Sequence, residues 1–295
     1  MRIVQHIRKA YASRRIKRPN RNLAVDIILT IFLGSFGLFS ILPLVFIISN
    51  AFKPLNEIFL FPPKLFVQNP TLDNFRDLFT IIGNSWIPFS RYIFNTVFLT
   101  LLGTAGTVLI GSMAAFPLAK YEFPGSKVMS NMIVYSLMFS SSVTGIPNYI
   151  IMSKLGMIDT YWSVVIPAIG STLGLFLMKN NMVSIPMSLI ESAKMDGASE
   201  YRIFFSIAMP LCKPAWITLI IFSFQSLWGA TGGSFIYSEK LKPVSYALSQ
   251  IVSAGVVRTG VASAVSLIML IVPITVFIIS QSNVIETMAS SGIKE

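Results

Sequence analysis

The chain contains 295 residues, of which 54% are hydrophobic and only 12% are charged, and its mean hydropathy is +0.70. Soluble domains carry about 25% charged residues, so this composition excludes a single water-soluble globule. The 23 Lys and Arg residues exceed the 12 Asp and Glu residues and give a net charge of +11, which raises two alternatives, nucleic-acid binding and membrane orientation.

Six charge-free windows, each 19 to 28 residues long, predict transmembrane helices. About 20 apolar residues span a bilayer as a helix, in which every backbone amide is bonded within its own segment, whereas an ionised side chain in hydrocarbon is costly. We therefore predict an all-α integral membrane protein with six transmembrane helices. The windows are 27–52, 92–119, 128–153, 160–178, 214–238 and 259–285.

The basic residues predict the orientation, because cytoplasmic loops hold the excess of Lys and Arg. With six spans both termini lie on one side, and that side collects fifteen of the 23 basic residues, eight of them before position 23. Both termini are therefore predicted to be cytoplasmic. A nucleic-acid-binding arm is disfavoured because the only aromatic residue in 1–22 is Tyr11 and the arm runs directly into a span. The expected organisation is a basic arm at 1–22, a membrane domain at 23–286 and a cytoplasmic tail at 287–295.

The predicted spans lack the ionisable residues on which catalysis, metal binding and proton coupling usually depend. None of the six windows contains Asp, Glu, His, Lys or Arg, and the sequence has one Cys and one His and no phosphate-binding GxxxxGK[ST] motif. We therefore predict no catalytic residue, no metal site and no cofactor bound by this chain. Sodium coupling through carbonyls and hydroxyls stays open, but the energy for transport is expected to come from another polypeptide.

The loop between the fourth and fifth windows is patterned as two short helices. Ser188 and Glu191 have the spacing of a capping box, and Asp196-Gly197 provides a turn. A second helix is predicted from Ser199 to Met209, ended by Pro210. Three apolar residues share one face of this helix and suit packing on the protein's own body or on a partner: Ile203, Phe204 and Ile207.

This loop, at 184–210, resembles the signature of the membrane-spanning permease subunits of binding-protein-dependent ABC importers. That signature is Glu-Ala-Ala, three residues, Gly, nine residues, Ile, two residues and Pro, and here every spacing is kept with Ser192 in place of the middle Ala. The resemblance implies a coupling helix that docks on an ATPase subunit. The residues to which it assigns coupling are Glu191, Ser192, Ala193, Asp196, Gly197, Ile207 and Pro210.

Further segments are similar to the MalG-like branch, which serves oligosaccharide importers: Asn95-Thr96, Ala119-Lys120-Tyr121, the run 154–162 and Phe176-Leu177-Met178-Lys179. Trp228-Gly229 departs from the Trp-Asn of that branch. The resemblance implies a type I importer permease fold in a bacterial cytoplasmic membrane, working by alternating access. The implied partners are a second permease, two ATPase subunits that use ATP and Mg, an extracytoplasmic sugar-binding protein and a carbohydrate. Another polar solute, or an ion-coupled secondary transporter, remains the alternative.

Candidate substrate contacts are aromatic and neutral polar residues in or beside the third and fifth windows, because sugars suit aromatic faces and uncharged hydrogen-bonding groups. Helix packing and an interfacial aromatic belt are the competing explanations. The extracytoplasmic segment 230–258 is either a binding-protein contact or an amphipathic surface helix, and the tail 287–295 either reaches the ATPase or is disordered. The candidate substrate residues are Tyr135, Ser141, Asn148, Tyr149, Gln225 and Trp228, with Ser140 and Ser142 beside them.

Overall fold

A computed structural model of the chain describes residues 23–83, 87–253 and 258–292, and within these ranges every regular element is helical. The predicted basic arm, 1–22, and the last three residues of the tail lie outside the described residues. In chain order the helices are α1 (Leu23–Phe52), α2 (Leu55–Ile58), α3 (Asp73–Gly83), α4 (Phe89–Lys120), α5 (Ser126–Ser136), α6 (Ser141–Lys154), α7 (Trp162–Ile169), α8 (Thr172–Val183), α9 (Met187–Met195), α10 (Glu200–Leu211), α11 (Lys213–Trp228), α12 (Val244–Ser253) and α13 (Thr259–Gly292).

Among the described residues, four helical segments are long and apolar enough to cross a membrane, and all four overlap predicted windows. The pair α10 and α11, bent by 82° at Cys212, makes five if it is counted as one broken span. The prediction of six transmembrane helices is therefore confirmed only in part, and the side on which the termini lie stays a prediction. The four segments are Val25–Phe52, Phe89–Lys120, Trp162–Val183 and Thr259–Gln281.

Window 160–178 is divided between α7 and α8, and two further predicted windows differ from the observed helices. Window 128–153 is divided between α5 and α6, because Ser140 takes an extended N-cap conformation with ψ 152° that interrupts the helix. Window 214–238 is helical only as far as Trp228, and the chain then turns through Gly232 and Gly233, which both have positive φ. The lack of charge indicates that a segment tolerates lipid, but it does not require the segment to be one continuous helix.

Helix α4 lies at the centre of the bundle, packed against α7, α8 and α11. Glycines allow the backbones to approach closely: a Cβ at Gly103 would lie 2.5 Å from Leu227 Cδ1, and one at Gly106 would lie 2.7 Å from Ile169. The buried Thr107 hydroxyl lies 2.9 Å from the Ala168 carbonyl oxygen at the end of α7. This hydrogen bond attaches α4 to the last turn of α7, next to the break between α7 and α8.

Two apolar cores lie toward the two ends of α4. The core near Lys120 joins α4, α8, α9, α10 and α11, and it includes Phe116, Met178, Met182, Ile190 and Ile203. The core near Phe89 joins α3, α4, α12 and α13, and it includes Leu78, Tyr92, Ile251, Val261 and Val265. Each core fixes the elements that follow the end of a span, so the loops at both ends of α4 are held against the bundle.

Candidate functional site

Loop 184–210 folds as two short helices, as predicted, but α9 starts differently from the prediction. Pro186 is the N-cap residue, with φ −59° and ψ 134°, and no side chain caps the helix. The predicted Ser188–Glu191 capping box is therefore wrong, because the proline starts the helix at Met187 and places Ser188 inside the first turn.

The C-terminus of α9 is a Schellman turn centred on Gly197. The Ala198 amide donates to the Ala193 carbonyl at 3.0 Å, and the Gly197 amide donates to the Lys194 carbonyl at 3.0 Å. Gly197 has φ +76°, and among the described residues other than its two chain neighbours no atom lies within 4 Å of a Cβ built there. Glycine is therefore favoured at position 197 by backbone conformation and not by crowding within the chain.

Helix α10 begins after Ser199, whose hydroxyl accepts a hydrogen bond from the Arg202 amide at 3.4 Å. It contains a π-helical turn at Phe204–Ala208 and continues through Pro210 to Leu211, so the predicted stop at Pro210 is wrong. Proline has no amide hydrogen to bond the preceding turn, and the wider π turn accommodates it. Phe204 packs on Phe116 of α4 at a centroid distance of 5.6 Å. The apolar face of α10 therefore rests on the protein's own body.

A polar cluster joins α9, α10 and the residue after α4. The Lys194 ammonium donates to Glu200 at 2.7 Å, and its nitrogen lies 4.5 Å from the centre of the Tyr121 ring. The Tyr121 hydroxyl donates to Glu200 Oε2 at 2.7 Å. Burial, and then the bond to Glu200, raises the pKa of Tyr121, while the bond to Glu200 raises the pKa of Lys194. Both groups keep their protons at neutral pH, so the cluster is intact there.

Lys120, the last residue of α4, makes a second attachment to this loop. Its ammonium donates to the carbonyl oxygens of Val183, at 3.2 Å, and Ile185, at 2.5 Å. These carbonyls lie at the C-terminus of α8, where the helix leaves acceptors unsatisfied and where a positive charge is favourable. We refer to Lys120, Tyr121, Lys194 and Glu200 as the Lys120 clamp.

The residues predicted to couple to an ATPase do not all share one surface. Glu191, Ser192, Asp196 and Gly197 are exposed on α9 and its terminal turn, whereas Ala193 is half-buried against the core below. The other two lie on α10, where Ile207 is half-buried and Pro210 is exposed. Three exposed apolar side chains extend the α9 surface: Leu189 (45% exposed), Met195 (88%) and Tyr201 (69%).

Sequence reasoning missed the attachment of this loop to α4. Glu200 was not singled out, and Tyr121 entered only through the Ala119-Lys120-Tyr121 segment of the family resemblance. No local pattern predicts the Tyr121–Glu200 bond, because its partners are 79 residues apart in the sequence. Two positions at the end of an apolar span, one basic and one aromatic, were the only available signal.

The candidate substrate residues are distributed over three helices. Tyr135 is exposed on α5, Asn148 is half-buried on α6, and Gln225 is exposed on α11. Trp228 is used in packing, since its indole donates to the Met269 carbonyl at 2.9 Å and stacks on Phe224. The Tyr149 hydroxyl is bonded to that of Tyr237 at 2.8 Å, and the Ser141 side chain lies outside the described residues.

A cavity with four hydroxyl groups in its lining lies near these helices, and none of the candidate substrate residues lines it. Its volume is about 280 Å³, and it is bounded by the end of α7, the start of α8, Thr107 of α4 and one face of α11. The hydroxyl side chains that line it are Thr107, Ser171, Ser223 and Ser226. The structure therefore offers hydroxyl groups beside the α7–α8 break, which the sequence analysis did not select.

The segment after α11 is held at the other end of the bundle. Asp159 has φ +61°, and its carboxylate Oδ1 accepts hydrogen bonds from the amides of Tyr237 at 2.9 Å and Ser238 at 2.7 Å. The Ser238 hydroxyl also bonds to this carboxylate. The bonds from Ser238, side chain first, lower the pKa of Asp159 below its ordinary value. Helix α12 then packs on the Phe89-end core, and whether segment 230–258 also contacts a binding protein stays a prediction.

Comparison with known proteins adds to this geometry. Residues 107–289 match the family described as binding-protein-dependent transport system inner membrane component. Over 216 residues, 72% of this chain and 70% of the relative, the chain is 33% identical to Protein LplC of Bacillus subtilis (strain 168). Over 239 residues, 79% of each, it is 31% identical to the polygalacturonan/rhamnogalacturonan transport system permease protein YtcP of the same organism.

The fold is also similar to that of a solved structure. The TM-score is 0.76 to a chain of a bacterial ABC transporter involved in the import of the acidic polysaccharide alginate. The match covers 90% of this chain and 99% of that one, at 22% sequence identity. The similarity shows that the helices are arranged in the same fold.

Proposed function

Because the chain belongs to the family of inner membrane components of binding-protein-dependent transport systems, we propose that it is the permease subunit of an ATP-driven importer for an oligosaccharide. The fold match to a polysaccharide importer and the name of the YtcP relative support a carbohydrate cargo. In this proposal the protein is a multi-pass component of a bacterial cytoplasmic membrane, with the Lys120 end of the bundle in the cytoplasm. Separate ATPase subunits bind ATP and Mg and hydrolyse the nucleotide.

The proposed assembly has four further components besides the sugar. A second permease pairs with this chain, two ATPase subunits contact the cytoplasmic ends, and an extracytoplasmic binding protein delivers the cargo. ATP binding brings the ATPases together and moves α9, which opens the path outward, and hydrolysis reverses the movement. This transport cycle requires a segment of the permease that is exposed to the ATPase and is also fixed to the transmembrane helices.

The observation that carries the proposal is the contrast between the two faces of α9. Its inner face is fixed, since Ile190 is fully buried and Lys194 belongs to the Lys120 clamp. Its outer face exposes Met195, one turn along the helix from the carboxylate of Glu191, and also exposes Leu189. An apolar surface with a charged rim, carried on a rigid support, suits docking into a cleft of another protein.

Met195→Glu tests the docking surface. Burying a Met side chain in an interface contributes about 1.5–3 kcal/mol, so an acidic replacement is expected to weaken retention of the ATPase by about tenfold or more. The measurement is the amount of ATPase that co-purifies with the two permeases in nanodiscs. Leu72→Glu is the matched control, because Leu72 is 67% exposed at the other end of the bundle. Equal retention by the two variants contradicts the assignment of α9.

Uptake by reconstituted proteoliposomes tests the function as a whole. We expect accumulation of a labelled oligosaccharide only when ATP, the ATPase, both permeases and the loaded binding protein are present. Uptake by this chain alone under an ion gradient would establish a secondary transporter instead. Uptake of an amino acid or a phosphate compound in place of sugars, under the same ATP dependence, would keep the transporter class and overturn the cargo.

A further inference from the structure

Helix α4 joins the two ends of the bundle without interruption. It runs from Phe89 to Lys120, 32 residues, which corresponds to about 48 Å at 1.5 Å per residue. Its single proline, Pro117, lies in the last turn, and the close contacts at Gly103 and Gly106 hold its middle against α11 and α7. A displacement at one end of such a helix reaches the other end, provided that both ends are attached to their surroundings.

At the Phe89 end, Asn95 makes that attachment. Asn95 is fully buried, and its Nδ2 donates to the carbonyl oxygens of Lys240 and Lys242, each at 2.9 Å. Its Oδ1 accepts a hydrogen bond from the Tyr161 hydroxyl at 2.7 Å. All three bonds satisfy an amide that would be costly to bury unpaired. The side chain therefore fixes segment 240–242 to α4.

Two neighbours of Asn95 strengthen this attachment. The Tyr92 hydroxyl donates to Glu239 at 2.5 Å, and the Thr96 hydroxyl accepts from the Val244 amide at 2.8 Å. We refer to Tyr92, Asn95 and Thr96 as the Asn95 clamp. It fixes residues 239–244, which lie just after the segment bonded to Asp159 and lead into α12.

At the other end the Lys120 clamp attaches α4 to both ends of the coupling segment. Lys120 bonds the carbonyls that precede α9, and Tyr121 bonds Glu200, which follows it. Helix α9 is thus bracketed by two contacts that both belong to the end of α4. A movement of α9 along or around its own axis pulls on α4 through both contacts.

We propose that α4 links the extracytoplasmic segment 239–244 mechanically to the coupling helix α9, with Asn95 and Tyr121 as the positioning residues at its two ends. This inference rests on the proposed function, in which a binding protein and an ATPase act at opposite ends of the bundle. Arrival of the loaded binding protein at the Asn95 end shifts α4, and α4 shifts α9 against the ATPase. Neither residue needs to touch the sugar or the nucleotide.

The test is a double-variant cycle on the complete transporter in nanodiscs. Tyr121→Phe removes only the hydroxyl, and Asn95→Leu removes the amide while keeping a side chain of the same branched shape. Tyr121→Phe removes one hydrogen bond and is expected to lower the stimulation of ATPase activity by the loaded binding protein by about fivefold. Asn95→Leu removes three and is expected to lower it by at least as much, while basal ATPase activity and complex assembly stay unchanged in both. The double variant is expected to lose little more than either single variant, because either change opens the same link.

Two controls keep the outcomes separate. Tyr246→Phe removes a hydroxyl for which the described residues show no hydrogen bond. It keeps the aromatic ring, whose centre lies 3.5 Å from the Lys242 ammonium. The stimulation of ATPase activity in this variant should therefore match that of the unaltered transporter. If Asn95→Leu does not assemble, Tyr92→Phe removes the bond between the Asn95 clamp and Glu239 and replaces it in the cycle.

Multiplicative losses in the double variant, about 25-fold or more, would overturn the link by showing that the two ends act independently. Single variants with unaltered stimulation would also overturn it. Failure of the proposed function is recognised differently, since the unaltered transporter would then show neither ATP-dependent uptake nor stimulation by any binding protein.

Discussion

Replacing Gly197 by alanine separates two reasons for a glycine in the turn after α9. The position has φ +76°, where a residue with a Cβ costs about 1–2 kcal/mol, while in the described part of the chain no atom beyond the two adjacent residues lies within 4 Å of the added carbon. Alanine also loses less entropy on folding, by about 0.4–1 kcal/mol. The net cost to the turn is then about 1 kcal/mol, which corresponds to about fivefold faster hydrogen exchange at the Ala198 amide.

The chain provides a matched control in Gly156. This glycine has φ +66°, also has nothing within 4 Å of an added Cβ, and ends α6 with the same pair of bonds, from Met157 to Met152 and from Gly156 to Ser153. Gly156→Ala should therefore cost its own turn the same amount but leave ATPase stimulation unchanged. Gly197→Ala should reduce both the protection of its turn and the stimulation. Unchanged exchange at Ala198 would refute the backbone explanation.

Gly197→Asn distinguishes strain from contact with a partner. Asparagine tolerates the left-handed region better than alanine does, so strain alone predicts that Asn is the milder replacement. Close approach of an ATPase subunit predicts the opposite order, because Asn is larger. The order of ATPase stimulation among Gly, Ala and Asn at this position decides between the two. Equal stimulation for all three would remove Gly197 from the coupling surface.

Two further predictions concern packing and pH. A Cβ at Gly260 would lie 2.2 Å from the Asn74 carboxamide, so Gly260→Ala should destabilise the protein by about 1–3 kcal/mol, measured by thermal unfolding in detergent. The control is Gly111→Ala, where no described atom lies within 4 Å of the added Cβ, and this variant should be neutral or stabilising. The lowered pKa of Asp159 means that its stabilising contribution is present above pH 3.8 and is lost as the pH falls through its folded-state pKa. Hydrogen exchange at the Ser238 amide should therefore be slow at pH 5 to 7 in the unaltered protein and fast in Asp159→Ala. Protection of the Ser238 amide that survives this substitution would show that the carboxylate does not hold residues 237–238.

The sequence predicted those parts of the fold that depend on local composition. Three apolar windows coincide with single long helices and a fourth with the pair α7 and α8, because burial in lipid and helical hydrogen bonding impose one requirement on every residue of a span. The turn at Gly197 was predicted because a Schellman turn needs a residue that accepts positive φ. The family resemblance located the loop at 184–210 from spacing alone.

Other parts of the structure depend on contacts that no local pattern records. Serine is compatible with a helix interior and with an N-cap position. The absence of charge in window 128–153 therefore does not reveal the break at Ser140. Asn95 looked like any polar residue at a span end, yet its partners are 145 and 147 residues away. The Tyr121–Glu200 bond is non-local in the same way. Such bonds appear only when the helices are placed.

The two clamps also restrict which insertions and deletions this protein can accept. Asn95 and Lys120 are 25 residues apart on one helix, about seven complete turns, so their side chains leave α4 on nearly the same side. One residue added between them would rotate one clamp by about 100° relative to the other and shift it by about 1.5 Å. The connections that neither clamp contacts can change length at little cost. The number of residues in this stretch of α4 is therefore expected to be fixed, while the loops outside both clamps are free to vary.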